Sequence, residues 1–276
     1  MDTTTLDLWR ADPAGVAWAP DAADFADGCA VWLRLVGVFA VYRAGRIRTA
    51  TGIGSRKART LLAVLAIRPD RRTSAERLAE TLWVAGTPQR PADNVATLVS
   101  RLRSTLGRDV IVGDRNGYRL GGAVRVDLHD LARVLGTAET QLSAGESYAA
   151  LVAARRALTL LDDTILADHP AASWAEPAHD LHTDLLRRAR HAAATAALRT
   201  GDPRAAGIVA QAAVNADPLD EAACQLLMRA HHTAGEPARA LMAYQRLRAT
   251  LGHELGVDPA PATRDLHVLI LRHNAA

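Results

Sequence analysis

The spacing of apolar residues changes along the chain, and each change marks a different kind of structure. From Val31 to Tyr42 the residues alternate and are rich in β-branched and aromatic types, a period of two that predicts one or two strands broken at Gly37. Arg43 to Arg46 reads as a turn, with a short return strand from Ile47. Three helical periods follow. The first covers Ser55 to Ile67 and is ended by Pro69-Asp70. The second opens on Thr73-Ser74-Ala75-Glu76, with Thr73 as the capping hydroxyl and Glu76 reaching back, and continues to Trp83. The third starts near Pro91, whose missing N–H suits a first helical turn, and stops at Gly107. Asp109 to Val112 and Tyr118 to Leu120 then read as two strands of a hairpin, with Asn116-Gly117 as the signal at its tip.

From Asp127 onward the period is helical throughout. Thr200-Gly201-Asp202-Pro203 and Ala234-Gly235-Glu236-Pro237 place two glycines 34 residues apart, the period of tetratricopeptide helix pairs. Ala144-Gly145-Glu146-Ser147 is a similar loop at a longer spacing. One helix pair cannot bury its own apolar face, so stacking stabilises such an array, and alanines such as Ala192 to Ala197 let the helices approach closely.

Charge separates these segments further. The net charge of the 276 residues is only +3. Residues 1–30 hold one Arg against six Asp, a net of −5. Residues 31–126 hold eighteen Lys and Arg against six Asp and Glu, a net of +12, and residues 127–276 hold fourteen Arg against eighteen acids, a net of −4. A basic block of one domain's length between two acidic segments points to a polyanion as its partner. Residues 1–30, with Pro13, Gly15 and Pro20 and no clear period, read as an acidic flexible extension. The expected architecture is mainly α with a small β component. Residues 31–126 form a winged helix-turn-helix domain, and residues 127–276 an all-α, tetratricopeptide-like domain.

Within the basic block the third helix carries the sharpest signal. At about 100° per residue, Val95, Leu98, Val99, Leu102 and Leu106 share one apolar arc. Asn94, Thr97, Arg101 and Ser104 fall on the opposite side, flanked by Ser100 and Arg103, with no acid among these positions. Such a face suits a DNA major groove, where Arg bonds two acceptors on guanine and a Thr methyl packs on a thymine methyl. Thr97, Arg101 and Asn94 are the expected base-reading residues. Ser100, Arg103 and Ser104 are expected at the DNA backbone, together with Ser55, Arg56 and Lys57 at the start of the first helix. The hairpin is the wing, with Arg115 and Asn116 at the phosphates or the minor groove.

Other chemistries find little support. Gly52-Ile53-Gly54-Ser55-Arg56-Lys57 lacks the spacing of a phosphate-binding loop. His179 and His182 share a helix face but no third ligand is placed with them, and His231 and His232 point apart. No nucleophile elbow or zinc-protease motif is present. The chain is therefore expected not to be an enzyme, with no cofactor and no metal. Trp83 and Trp174 are expected as core anchors. Cys29 and Cys224 make neither a disulfide framework nor a zinc pattern. No apolar run approaches roughly 18 residues, and the N-terminal residues lack a basic-then-apolar leader, so no membrane partner is expected and the cytoplasm is the expected compartment.

At several of these places the sequence resembles a known family. Ser55-Arg56-Lys57-Ala58-Arg59-Thr60-Leu61-Leu62, Arg77-Leu78 to Leu82-Trp83, Asn94-Val95 to Arg103, and Gly117-Tyr118-Arg119-Leu120 resemble the DNA-binding domain of the Streptomyces antibiotic regulatory proteins, itself similar to the output domain of OmpR-type response regulators. Trp174-Ala175-Glu176-Pro177, Asp217 to Glu221, Ala240 to Tyr244 and His253 to Pro259 resemble the bacterial transcriptional activator domain that follows it. The resemblance implies a pathway-specific activator of antibiotic or other secondary-metabolite genes in a bacterial cytoplasm, associated with the nucleoid. Double-stranded DNA with direct repeats near a promoter, and RNA polymerase holoenzyme with its sigma subunit, are the implied partners, with two protomers side by side on the DNA. It implies base contacts at Thr97 and Arg101 and phosphate contacts at Asn94, Leu98 and Ser100. Leu98 departs from the family, whose members often have a polar or aromatic residue there, and residues 1–30 match nothing in its pattern. A protein-interaction scaffold and a repressor with the same DNA-binding mode are the alternatives.

Overall fold

The computed structural model describes residues 31–274 apart from 85, 87 and 170, so the acidic extension expected over residues 1–30 lies outside the described residues. The described chain divides into two compact units, 31–131 with 160–183, and 132–159 with 184–274. It is mainly helical with two small sheets in the first unit.

The larger sheet begins with β1 (Val31–Arg34), antiparallel to β2 (Ala40–Arg43) with Leu33 opposite Val41. β2 turns back into β3 (Arg46–Arg48) through Ala44 and Gly45, both at positive φ, the geometry whose twist matches a two-residue hairpin. Two elements were not foreseen from the sequence. A one-turn helix, α1, covers Ala50–Ile53. A strand at Val124–Val126 runs parallel to β1 with Val126 opposite Leu33. Three residues are too few to show a period, and only the tertiary pairing makes them a strand.

Helices α2 (Arg56–Ile67), α3 (Ala75–Leu82) and α4 (Pro91–Leu106) follow as expected. The cap of α3 differs. Ser74, not Thr73, is the N-cap, and its hydroxyl accepts from the Arg77 N–H at 3.2 Å. Thr73 is instead bridged by its backbone, N–H to O and O to N–H at 2.8 Å each, to Tyr118. The hairpin is β4 (Ile111–Asp114) and β5 (Gly117–Leu120), and the strand at Val124–Val126 is β6. Its two turn residues are Arg115 and Asn116, held by the Asn116 N–H donating to the Asp114 carboxylate, so Gly117 opens β5 rather than sharing the tip. Glycine is still required there: a Cβ on Gly117 would lie 2.7 Å from Cγ of Arg72 and 3.0 Å from the Thr73 carbonyl.

The core of this unit is Trp32, Leu33 and Leu35 with the inner faces of α2, α3 and α4. Trp32, 2% exposed, is the core tryptophan. Trp83 and Trp174, expected in that role, are only half-buried. Their rings sit at the edge, with the Lys57 ammonium 4.5 Å over Trp83 and His169 edge-on to Trp174. Asp127, fully buried, ties the end of β1 to the first turn of α5 (Asp127–Ser143). Its carboxylate accepts from the N–H groups of Leu35 and Val36 at 2.9 Å and of Leu128 at 2.7 Å. Burial outweighs these bonds and pushes its pKa up to about 6. Residues 160–183 belong to this unit because Ile165 and Leu166 are buried in it, with Leu166 donating to the Leu35 carbonyl and Gly37 donating to that of Thr164.

The second unit is helical. Its elements include α6 (Ser147–Leu161) and α7 (Glu176–Arg199), which contribute in part, and α8 (Pro203–Ala216), α9 (Glu221–Thr233), α10 (Pro237–Glu254) and α11 (Pro261–Asn274). The three similar loops share one geometry. Gly145, Gly201 and Gly235 take φ of +84°, +80° and +77°. In each, the next residue's N–H returns to a carbonyl five residues earlier: Glu146 to Gln141, Asp202 to Ala197, Glu236 to His231. The repeat read from glycine spacing is thus a repeat of helix ends. Buried alanines, Ala192, Ala193, Ala194, Ala196 and Ala197 among them, line the close helix contacts.

Candidate nucleic-acid interface

The exposed face of α4 is built by burying the opposite one. Val95, Val99, Leu102 and Leu106 are at most 2% exposed, and Leu98, at the edge of the arc, is half-buried. Asn94, Thr97, Ser100, Arg101 and Ser104 are all exposed. The Thr97 hydroxyl donates to the Asp93 carbonyl at 2.9 Å and the Asn94 amide to that of Arg90 at 3.0 Å, both within the helix. Arg101 has no side-chain partner among the described residues. Its guanidinium is open to solvent and free to meet acceptors.

Two clefts flank this face. On one side Ser55, Ala58 and Gly54 at the start of α2 face Leu98, Arg101 and Ser104. Ser55 caps α2 by accepting from the Ala58 N–H at 3.3 Å. On the other side Ser100, Arg103 and Ser104 face Arg115 and Tyr118 of the wing. Of the candidate residues, Ser55, Ser100, Arg101, Arg103, Ser104 and Arg115 thus border the clefts on the two sides of α4, and Asn94, Thr97, Arg56, Lys57 and Asn116 line neither cleft.

Four of the five cationic candidates have other partners. Arg103 is half-buried. Its Nε donates to the Ile111 carbonyl at 2.9 Å, its other nitrogen to that of Gly113 at 2.8 Å, and the guanidinium lies near the Tyr118 ring. It braces the wing against α4. Arg56 donates to the Asp168 carbonyl at 3.1 Å, and Lys57 lies over Trp83. At the wing tip Arg115, 75% exposed, stands 3.4 Å from Asp93 in the first turn of α4, and Asn116 is exposed beside it. Asp93 is an acid at this surface that the helical-face reading passed over, and Asp114 lines the wing cleft as well. The sequence reading also did not single out Arg108, which lines the wing cleft, or Arg68, Arg71, Arg72 and Arg77, which surround a cleft between the end of α2 and the start of α3. The run of arginines on both sides of a helix start was the available signal.

Residues 126–271, more than half of the chain, match the model of the bacterial transcriptional activator domain. The chain belongs to that family. Its relatives bear out the resemblance to the Streptomyces antibiotic regulatory proteins. It is 34% identical over 254 residues to the regulatory protein AfsR of Streptomyces coelicolor, a match that covers 87% of this chain and 24% of AfsR. It is 31% identical over 238 residues to the transcriptional regulator RedD of the same organism, covering 80% of this chain and 65% of RedD. The chain thus spans about a quarter of the length of AfsR. Among solved structures, Mycobacterium tuberculosis EmbR in complex with a low-affinity phosphopeptide superposes with a TM-score of 0.78 at 26% identity, covering 88% of this chain and 65% of that one. The activator-domain family accounts for the helical repeat, and the EmbR likeness extends to the sheet-bearing unit. No helix among the described residues is long and apolar enough to cross a membrane.

Proposed function

We propose that this member of the family is a sequence-specific DNA-binding transcription activator. In this reading α4 enters the major groove, and Arg101, Thr97 and Asn94 meet base edges. Ser55, Ser100 and Ser104 hold phosphates on either side, with Arg56 and Lys57 behind Ser55. Arg115 and Asn116 contact the backbone or minor groove, and Arg103 keeps the wing in place. The observation that carries the reading is the solvated, unpartnered Arg101 on an exposed helix face bounded by α2 and the wing. The mechanism is binding and not catalysis. Phosphate neutralisation supplies affinity and α4 supplies the choice of sequence. Two protomers on a direct repeat present their helical units to RNA polymerase holoenzyme and its sigma subunit, turning on secondary-metabolite genes from the nucleoid.

Footprinting on the upstream regions of its own gene neighbourhood identifies the operator, and titration of that duplex against a random one measures preference. Arg101→Ala is expected to remove about 1–3 kcal/mol of that preference for each base that Arg101 reads. Equal preference with and without Arg101 rejects the assignment of α4. In vitro transcription with the holoenzyme separates an activator from a repressor or from a scaffold that ignores DNA.

A further inference from the structure

The second unit contains a groove that the DNA-reading proposal does not use. Its walls are α8 and α10 and its floor is α9, and it encloses about 720 Å³. Leu227 on the α9 floor and Leu247 on the α10 wall are buried, Val214 on α8 is half-buried, and Met242 on α10 is 49% exposed. An exposed methionine on an apolar strip is an adaptable contact for a ligand's side chains.

The polar side chains around this strip share a bias. Gln211 and Asn215 stand on α8, His231 on α9, and Arg239 and Arg246 on α10, while no lining residue carries a carboxylate. The Gln211 amide donates to the Asn215 oxygen at 2.8 Å, which leaves the Gln211 oxygen and the Asn215 amide hydrogens to pair with a peptide backbone. Glu236, beside the groove, pairs at 3.0 Å with both His231 and Arg239 and so offsets part of the charge of Arg239. Arg246 is exposed and has no side-chain partner among the described residues. Its ligand must therefore satisfy an apolar floor, a pair of side-chain amides and a solvated guanidinium together. A duplex backbone offers the anions but no side chains for the floor.

We infer that this groove binds an extended acidic peptide of a partner protein, in which carboxylates alternate with apolar side chains. In an extended segment alternate residues point to opposite sides. The apolar set lies on Val214, Met242 and Leu247, and the carboxylates meet Arg246 and Arg239. Charge complementarity of this kind selects the partner and its register. The inference is independent of DNA reading, since it uses residues of the other unit.

The test is fluorescence anisotropy of the full chain with a labelled peptide alternating Asp and Leu, and with the same peptide carrying Lys in place of Asp. The acidic peptide is expected to bind and the basic one not to bind. Arg246→Glu should weaken the acidic peptide about tenfold, equivalent to about 1.4 kcal/mol, and improve the basic one. Arg229→Glu makes the same charge change on an exposed position of α9 outside the groove and should leave both unchanged. Thermal melts of the variants establish that each is folded. Equal binding of the two peptides, or equal loss with Arg229→Glu, overturns the inference. So does an acidic peptide that is lost with Arg101→Glu but kept with Arg246→Glu, because it then sits on the basic unit.

Discussion

Replacing Arg103 by Ala separates two roles that predict different numbers. As a phosphate contact, expected from its place beside the basic face, its loss lowers DNA affinity and reduces the salt dependence by about 0.9 per phosphate, with stability unchanged. As the brace seen in the structure, it donates to the carbonyls of Ile111 and Gly113 and lies near Tyr118. Bonds from a charged donor contribute about 1.5–3 kcal/mol each when buried, but Arg103 is half-exposed and water replaces part of them. The net cost of Arg103→Ala is then about 2 kcal/mol. Urea unfolding measures this directly. Arg103→Lys should recover part of it, because one ammonium reaches one of the two carbonyls. In DNA titrations over a range of salt, a loosened wing no longer places Arg115. The effect of Arg115→Ala should therefore shrink in the Arg103→Ala background. An unchanged urea midpoint, together with additive losses of affinity, refutes the brace and restores the phosphate contact.

Other expectations follow from individual interactions. The pKa of Asp127 is raised from 3.8 to about 6, so its stabilising form is the neutral one. That contribution is fully present below about pH 4 and lost as pH rises through about 6, roughly 3 kcal/mol in all. The stability difference between the parent and Asp127→Asn should fall by that amount over this window, and a flat difference removes the assignment. Asp93→Asn frees Arg115 and deletes an acid from the interface, at a stability cost within about 1 kcal/mol for so exposed a pair. It should raise affinity for cognate and random duplexes alike, and a gain confined to the cognate duplex contradicts the backbone role of Arg115. Gly117→Ala forces a Cβ against Arg72 and the Thr73 carbonyl at a φ of +148°, which should cost at least about 1–3 kcal/mol in urea unfolding.

The legible part of the fold was the part with long periods. The three helices of the basic block, with Pro91 and Gly107 bounding α4, and the loops at Gly145, Gly201 and Gly235 follow from patterns that local sterics enforce. The exposed set on α4 was also legible, because a 3.6-residue period places Asn94, Thr97, Arg101 and Ser104 opposite Val95 and Val99 without reference to the rest of the chain. Short or competing signals were not. β6 has three residues and is a strand only because β1 lies beside it. Thr73 and Ser74 are both capable caps, and the bridge from Thr73 to Tyr118 decides between them. Arg103 sits between the apolar and polar arcs, where the helical period is silent, and it turns inward because β4 presents two carbonyls to it. Which faces are greasy, which are cationic and where the helices end are written in the order of residues, since these depend on neighbours a few positions away. Which cations are solvated and which are bound is settled only on folding, because a guanidinium's partner lies wherever the fold brings an unpaired carbonyl or carboxylate within about 3 Å of it.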